Sequence, residues 1–319
     1  VVVAAVAGIV DALVLRLTFT AAGYTSIGGL LIAKAISLAV AVVLRAIGYR
    51  FVLSDVVSEA RQRVERRRPA DGSVRFSVVI PAYREPDRIG ATVASVRDEL
   101  AEVVVDGGLE IIVVDDGSGD GTADAALAAG ADQVVTLPEN RGKGGAVRAG
   151  MASTRGRAVA FTDADLAYHP SHLRSLLHEI EDGWDVVIGN RRHPSSGGDA
   201  ATGLRAAGSR IVNRLATGVL LAAPLDTQCG LKGFRGDLAR ELFARTRIDG
   251  FAFDIEVLHL VERAERSLQE IPVQVEDPGG GSTVRVLVDV ARLVRDLFRV
   301  RYWSTTGAYD DVTPVDQPV

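Results

Sequence analysis

From Arg75 to Asn190 the chain alternates two patterns, and that alternation limits its fold more than any other feature. Short apolar runs (FSVVIPA, LEIIVVDDGS, QVVTLPE, RAVAFTDAD and WDVVIGN) are separated by DRIGATVASVRDELAEVV, DGTADAALAAG, GKGGAVRAGMAST and PSHLRSLLHEIED, which have helical spacing. Strands alternating with helices predict a mostly parallel, doubly wound α/β sheet. The near-continuous Val and Ile runs fit strands covered on both faces. Such sheets bind ligands at the carboxyl ends of their strands. Here those ends read Pro81-Ala-Tyr83-Arg-Glu85, Asp115-Asp116-Gly-Ser118, Asp163-Ala164-Asp165 and Gly189-Asn-Arg191. The polar chemistry therefore collects along one edge, which scattered helix caps would not do.

The stretch FTDADLAYHP ends an apolar run with two carboxylates one residue apart. Side chains at i and i+2 on a strand share a face, so Asp163 and Asp165 can converge on one object. Two like charges held together favour a cation, and hard oxygen ligands suit Mg2+ or Mn2+. The alternative is a strand end followed by a helix cap. Asp115 and Asp116 can accept hydrogen bonds from a base or ribose, while DDGSGDGT is equally good turn chemistry. Arg141-Gly-Lys143-Gly-Gly opens a helix with glycines and a cation. It can bind phosphate through backbone N–H groups and Lys143, or serve simply as a Gly-rich helix start. It lacks GxxxxGK[ST] and is not a P-loop.

Residues 1–22 and 28–49 are apolar stretches, each long enough to cross a bilayer, with GYTSIGG between them as a turn. Asp11, Arg16, Lys34 and Arg45 interrupt them; such groups face a partner helix or an interface. The alternatives are a buried helical hairpin and one span with one interfacial helix. RQRVERRR follows at 61–68, and by the positive-inside rule its five arginines face the cytoplasm. They can also hold anionic lipid head groups, or form a solvated basic linker. Hydrophobic residues make up 47%, with the excess at this end, and mean hydropathy is +0.18. The net charge of -5 gives no sign of a nucleic-acid partner. The single cysteine, Cys229, excludes an internal disulfide and fits a reducing compartment. The chain opens Val-Val-Val and its one methionine is Met151, so a segment upstream of Val1 is expected.

After Arg191, SSGGDAATG reads as a loop and 203–223 as a helix carrying Arg205, Arg210 and Arg214. FAFDIEVLHLVERAER, at 251–266, reads as a helix and SLQEIPVQVED as a late strand. In RVLVDVARLVRDLFRVRYW, Val286, Val290, Leu293, Val294, Leu297 and Val300 recur at helical spacing, opposite Arg292, Arg295 and Arg299. This segment either lies on a membrane surface or docks on the core. The expected division is a transmembrane hairpin (1–53), a basic linker (54–74), a catalytic domain (75–284), the amphipathic helix (285–305) and a flexible tail (306–319).

VVIPAYREPDRI, IIVVDDGSGDGT, NRGKGGAVRAGM, FTDADLAYHP, GNRR, DTQCGLKGFR and FAFDIE occur in the order seen in family 2 glycosyltransferases. Over about residues 75–285 the chain resembles the polyprenyl-phosphate (dolichyl-phosphate) sugar transferases. DTQCGLKGF with FAFDIE is similar to their glucosyl branch. The apolar hairpin resembles half of a GtrA-like membrane protein. The resemblance implies a GT-A (Rossmann-like) α/β domain preceded by a transmembrane hairpin, with inverting transfer of glucose from UDP-glucose to a polyprenyl phosphate. It places the enzyme at the cytoplasmic (inner) membrane with its catalytic domain facing the cytoplasm, and hairpin pairing would be its route to a homo-oligomer.

By the same resemblance, Asp163 and Asp165 hold Mg2+ or Mn2+ against the diphosphate, with Ala167 standing where related mannosyl enzymes have a glutamine ligand. Pro81, Tyr83, Glu85, Asp115, Asp116, Lys143, Ala164 and Gln228 contact the donor. Asp254, with Glu256 beside it, faces the sugar or reaction centre, and the alternative for Asp254 is a helix-start carboxylate. Arg191, Ser209 and Arg210 match positions that bind acceptor phosphate, a role suited to arginine's bidentate fork; Arg192 is a substitute for the first. In the loop at 280–285, Thr283 replaces a family lysine and Arg285 carries the charge instead. The alternatives are a GDP-mannose-dependent mannosyltransferase, a processive polysaccharide synthase, a nucleotidyltransferase, and a non-catalytic, flippase-associated assembly subunit. RVRYW lacks the QxxRW pattern of the synthases.

Overall fold

The computed structural model describes residues 70–191, 193, 219–221, 225–276 and 286–310, side chains of 286–291 excepted, with Arg16 and Lys34. The chain divides into two units, Val1–Ala60 and Arg61–Val319. In the first, only Arg16 and Lys34 are described, both helical and exposed. The expected hairpin thus lies outside the described residues; among those residues no helix is long and apolar enough to cross a membrane.

In the second unit seven strands form one sheet: β1 (Val74–Ala82), β2 (Leu109–Asp115), β3 (Gln133–Thr136), β4 (Gly156–Phe161), β5 (Val186–Asn190), β6 (Lys232–Arg235) and β7 (Leu268–Pro272). Their spatial order is β3-β2-β1-β4-β6-β5-β7. The helices are α1 (Ile89–Glu99), α2 (Ala101–Val105), α3 (Thr122–Ala128), α4 (Lys143–Ser153), α5 (Ser171–Glu181), α6 (Gly236–Arg245), α7 (Phe253–Arg263) and α8 (Val286–Thr305). The sheet is mostly parallel as expected, but β6 runs antiparallel to both β4 and β5. β5 ends at the carboxyl edge and β6 begins there, so the register sets Lys232 opposite Phe161, the last residue of β4. β6 was not legible in the sequence, because KGFR is too short and glycine-containing to carry a strand period; α6 was missed although Leu238, Ala239, Leu242 and Phe243 recur at helical spacing.

The period-2 alternation of the strands divides the core between two faces. Val79, Ile112, Val159, Phe161 and Phe234 pack beneath α4, α6 and α7. Val78, Ile80, Ile111, Val113 and Ala160 pack beneath α1 and α5. Helix α8 joins the first layer through Leu293, Leu297 and Val300, all buried. Its apolar stripe therefore docks on the core, while Phe298 and Tyr302 stay exposed. Within the flexible tail expected from 306, Tyr309 is 1% exposed and packs against the core.

Candidate active site

Strands β1, β2 and β4 are parallel, so their final residues share one edge with the start of β6. Asp163 and Asp165 follow β4, and Lys143 is the first residue of α4. The Lys143 ammonium lies 2.6 Å from Asp163 Oδ1, with 18% and 27% of the two side chains exposed. Burial works to lower the Lys143 pKa, and the charges of Asp163, Asp254 and Asp165 outweigh it, so the value is raised. Asp165 accepts the Ala167 N–H at 3.1 Å, and Leu166 between them takes a left-handed φ of 53°. Ala164 is buried, its carbonyl accepting Thr92 Oγ1 at 2.6 Å.

The second charged pair is fully internal. Asp254, in the first turn of α7, accepts Lys232 Nζ at 2.6 Å, with side-chain exposures of 6% and 0%. Lys232 also donates to the carbonyls of Cys229 at 2.6 Å and Thr227 at 3.2 Å. Burial pushes the Asp254 carboxyl up, opposed by Lys232 and Lys143. Sequence reasoning named Asp254 and missed Lys232. The available signal was a lysine inside GLKGF, since an apolar-flanked lysine on a strand must find a buried anion.

Glycine at 230 decides where Asp163 can lie. A Cβ there would sit 2.0 Å from Asp163 Oδ2, so the carboxylate occupies the space a side chain would fill. The Asp226–Gly230 turn is anchored in turn by Arg191. Its Nε and Nη2 donate to Asp226 at 2.8 and 2.7 Å, and Asp226 is fully buried. Arg191 thus meets an internal carboxylate with the fork expected to meet a phosphate. Burial lowers and Asp226 raises its pKa, and the net direction is upward. Within the turn, Gln228 Nε2 is buried without a hydrogen-bond partner. The Cys229 thiol is buried and its pKa is pushed up to about 11 by desolvation.

Asp116 accepts the amides of Arg141 and Gly142, each at 2.8 Å, and the Asp249 carbonyl accepts those of Gly144 and Gly145 at 2.8 and 3.3 Å. Gly142 has φ +91° and passes so close that a Cβ would lie 2.7 Å from the Asp249 carbonyl. Four of the amides expected to cradle phosphate at this helix start, those of Arg141, Gly142, Gly144 and Gly145, are therefore already engaged, and Lys143 supplies the loop's cation. Asp115 accepts the Ser118 N–H at 3.0 Å. Pro81 lies within β1, and Tyr83 and Glu85 follow it, Tyr83 40% exposed beside the Arg84 guanidinium. Glu256 is turned away from this edge: it accepts the Arg247 and Ile248 amides and the Tyr309 hydroxyl. Ser209, Arg210, Arg192 and Arg285 lie outside the described residues.

Asp163 and Asp165 offer a divalent cation hard oxygens, with Lys143 already standing in as the positive charge on Asp163. Among the described residues no group of three His, Cys, Asp or Glu could hold a metal. Mg2+ binds through one or two carboxylates together with substrate phosphates and water, and Asp163 and Asp165 could supply those carboxylates.

A sheet of this order, with an antiparallel strand between parallel ones and an acidic pair at its carboxyl edge, is that of a GT-A-type α/β glycosyltransferase. The chain belongs to glycosyl transferase family 2, whose pattern matches residues 77–243. It is 33% identical over 253 residues to a dolichyl-phosphate beta-glucosyltransferase of Drosophila melanogaster, covering 74% of this chain and 77% of that one. A dolichyl-phosphate beta-glucosyltransferase of Saccharomyces cerevisiae is 31% identical, with 76% and 78% covered. Among solved structures, glucosyl-3-phosphoglycerate synthase from Mycobacterium tuberculosis, in complex with Mn2+, UDP-glucose and phosphoglyceric acid, shares the fold. Its TM-score is 0.56 at 23% identity, over 82% of this chain and 85% of that one.

Proposed function

We propose that this enzyme transfers glucose from UDP-glucose to dolichyl phosphate or another polyprenyl phosphate, with inversion and without a covalent intermediate. The observation that carries the reading is the edge cluster Asp163, Asp165, Lys143 and Asp254, in a chain 33% identical to a dolichyl-phosphate beta-glucosyltransferase. The lipid phosphate oxygen is already ionised near neutral pH, so attack needs cationic orientation more than a base. The bond from the sugar's anomeric carbon to the UDP phosphate oxygen breaks as the bond to the lipid phosphate oxygen forms. A divalent cation on Asp163 and Asp165, when bound, neutralises charge on the departing diphosphate.

In this reading Pro81, Tyr83, Glu85, Asp115 and Asp116 border the nucleoside. Lys143 and Ala164 border the diphosphate. Gln228 offers its unpaired amide to the sugar, and Asp254 orients it. Arg191, Ser209, Arg210 and Arg285 hold the acceptor phosphate. The apolar segments at 1–53 and the arginines at 61–68 would keep this domain at the cytoplasmic face of the membrane. The hairpin is also where copies of the chain would associate.

The test is incubation of purified protein with Mg2+, dolichyl phosphate and radiolabelled nucleotide sugars, followed by counting of the organic phase. Label from UDP-glucose that disappears in Asp165→Ala is expected. Label from GDP-mannose alone would overturn the glucosyl assignment. No lipid label from folded protein would overturn the acceptor and favour the assembly-subunit reading.

A further inference from the structure

We propose that Lys232 is a positioning residue for sugar transfer, acting through Asp254; this rests on the function proposed above for Asp254. Lys232 is 0% exposed, which is exceptional for lysine unless it is paired. An ammonium has three donors, and here they meet Asp254 Oδ1 at 2.6 Å, the Cys229 carbonyl at 2.6 Å and the Thr227 carbonyl at 3.2 Å. With every donor engaged, Lys232 has none left for a substrate. It is therefore not a catalytic group, and its influence passes through the groups it holds.

Those groups belong to both halves of the site. Asp254 stands in the first turn of α7. Thr227 and Cys229 belong to the turn whose Gly230 backs the Asp163 carboxylate. The Phe161 ring, 5.5 Å from Nζ, packs apolar surface against the pair. Lys143 differs: its side chain is 18% exposed and its ammonium rests on Asp163. Of the two cations near Asp254, Lys143 is thus the one a donor can reach, and Lys232 is the permanent counter-ion. Register explains why the lysine must come from β6. Opposite Phe161, position 232 brings a long side chain to the end of β4, beside the FTDAD segment.

The experiment is a double-mutant cycle on the full chain with Lys232→Met, Asp254→Asn and the double variant. It reads kcat, UDP-glucose affinity by calorimetry, and melting. Each single variant is expected to lower kcat about 100-fold with donor affinity held within about threefold, the signature of an interaction used in the transition state. The double variant is expected to be no more than about threefold slower than Asp254→Asn. Independent roles would multiply toward about 10⁴-fold, and that result overturns the proposal. If Lys232→Met alone does not fold, comparing the double variant with Asp254→Asn still decides, because the double removes both buried charges together. Absence of wild-type turnover with UDP-glucose and dolichyl phosphate would refute the proposed substrates. The melting cycle would then stand alone: recovery in the double variant supports the coupling, and additive loss overturns it.

Discussion

Replacing Gly230 by alanine tests whether the position of Asp163, rather than its mere presence, supports transfer. The added Cβ would lie 2.0 Å from Asp163 Oδ2, 2.7 Å from Cγ and 3.1 Å from Oδ1. Ordinary contact begins at 3.4 Å, so the near oxygen must withdraw by 1.4 Å. The pair with Lys143, now 2.6 Å long, breaks on any such rotation. Asp163 is 27% exposed and has somewhere to go, so the stability cost falls at the low end for an added methyl, about 1 kcal/mol. Displacing a catalytic group by about 1 Å costs on the order of 100-fold in rate. We therefore expect a small fall in melting midpoint, a loss of about 100-fold in lipid-linked product, and weakened Mn2+ binding by calorimetry in the presence of UDP. Gly230→Ala with transfer within threefold of wild type would refute the claim that this contact sets the site.

Lys143→Met removes the cation from Asp163 while keeping the side-chain length, and should lower kcat/KM by about 100-fold, as removal of one electrostatic donor does; steady-state kinetics checks it. Arg191→Ala removes the guanidinium from the fully buried Asp226 carboxylate, which should cost about 3–5 kcal/mol in denaturant unfolding. A role confined to acceptor phosphate would leave stability unchanged. Tyr309→Phe deletes the 2.5 Å hydrogen bond to Glu256 and should cost about 1.5–3 kcal/mol by the same assay. Burial raises the Glu256 carboxyl above its ordinary value of 4.5, against hydrogen bonds from Tyr309, Ile248 and Arg247. Its contribution is fully present below that value and is lost as pH rises through the raised folded one. Melting of Glu256→Gln across that range should lack this decline.

The edge was legible because strand ends, unlike helix faces, announce themselves: an apolar run stops and the next residues are the ones exposed at the carboxyl rim. Asp115, Asp163 and Asp165 were read in that way. The engaged amides of Arg141, Gly142, Gly144 and Gly145 were not legible. Their acceptors come from other segments of the chain, Asp116 from 25 and 26 residues upstream and the Asp249 carbonyl from beyond β6, and spacing says nothing about either partner. Lys232 escaped for a related reason. Its strand is four residues long and antiparallel, and only the register with β4 reveals that it points at Asp254. Arg191 shows a partner that spacing hides: GNRR at a strand end suggests an anion from solvent, and its fork also pairs with the internal Asp226.

The C-terminal elements have a purpose the motif pattern alone does not give them. Glu256, wholly buried in α7, accepts the Arg247 and Ile248 amides at 2.9 and 2.8 Å and so fixes the loop just before Asp249. Asp249 then accepts the first free amides of α4 with its carbonyl and pairs with Arg148 through its carboxylate. Lys143 is the residue where α4 begins. Tyr309, beyond α8, closes the arrangement by donating to Glu256. The links to Glu256 satisfy a wholly buried carboxylate, a group that is costly to leave unpaired. The start of α4 is thus held from both sides, by Asp116 after β2 and by Asp249 before α7. A lysine on a freely fraying helix start would sample many positions around Asp163. Held this way, its ammonium is kept beside Asp163.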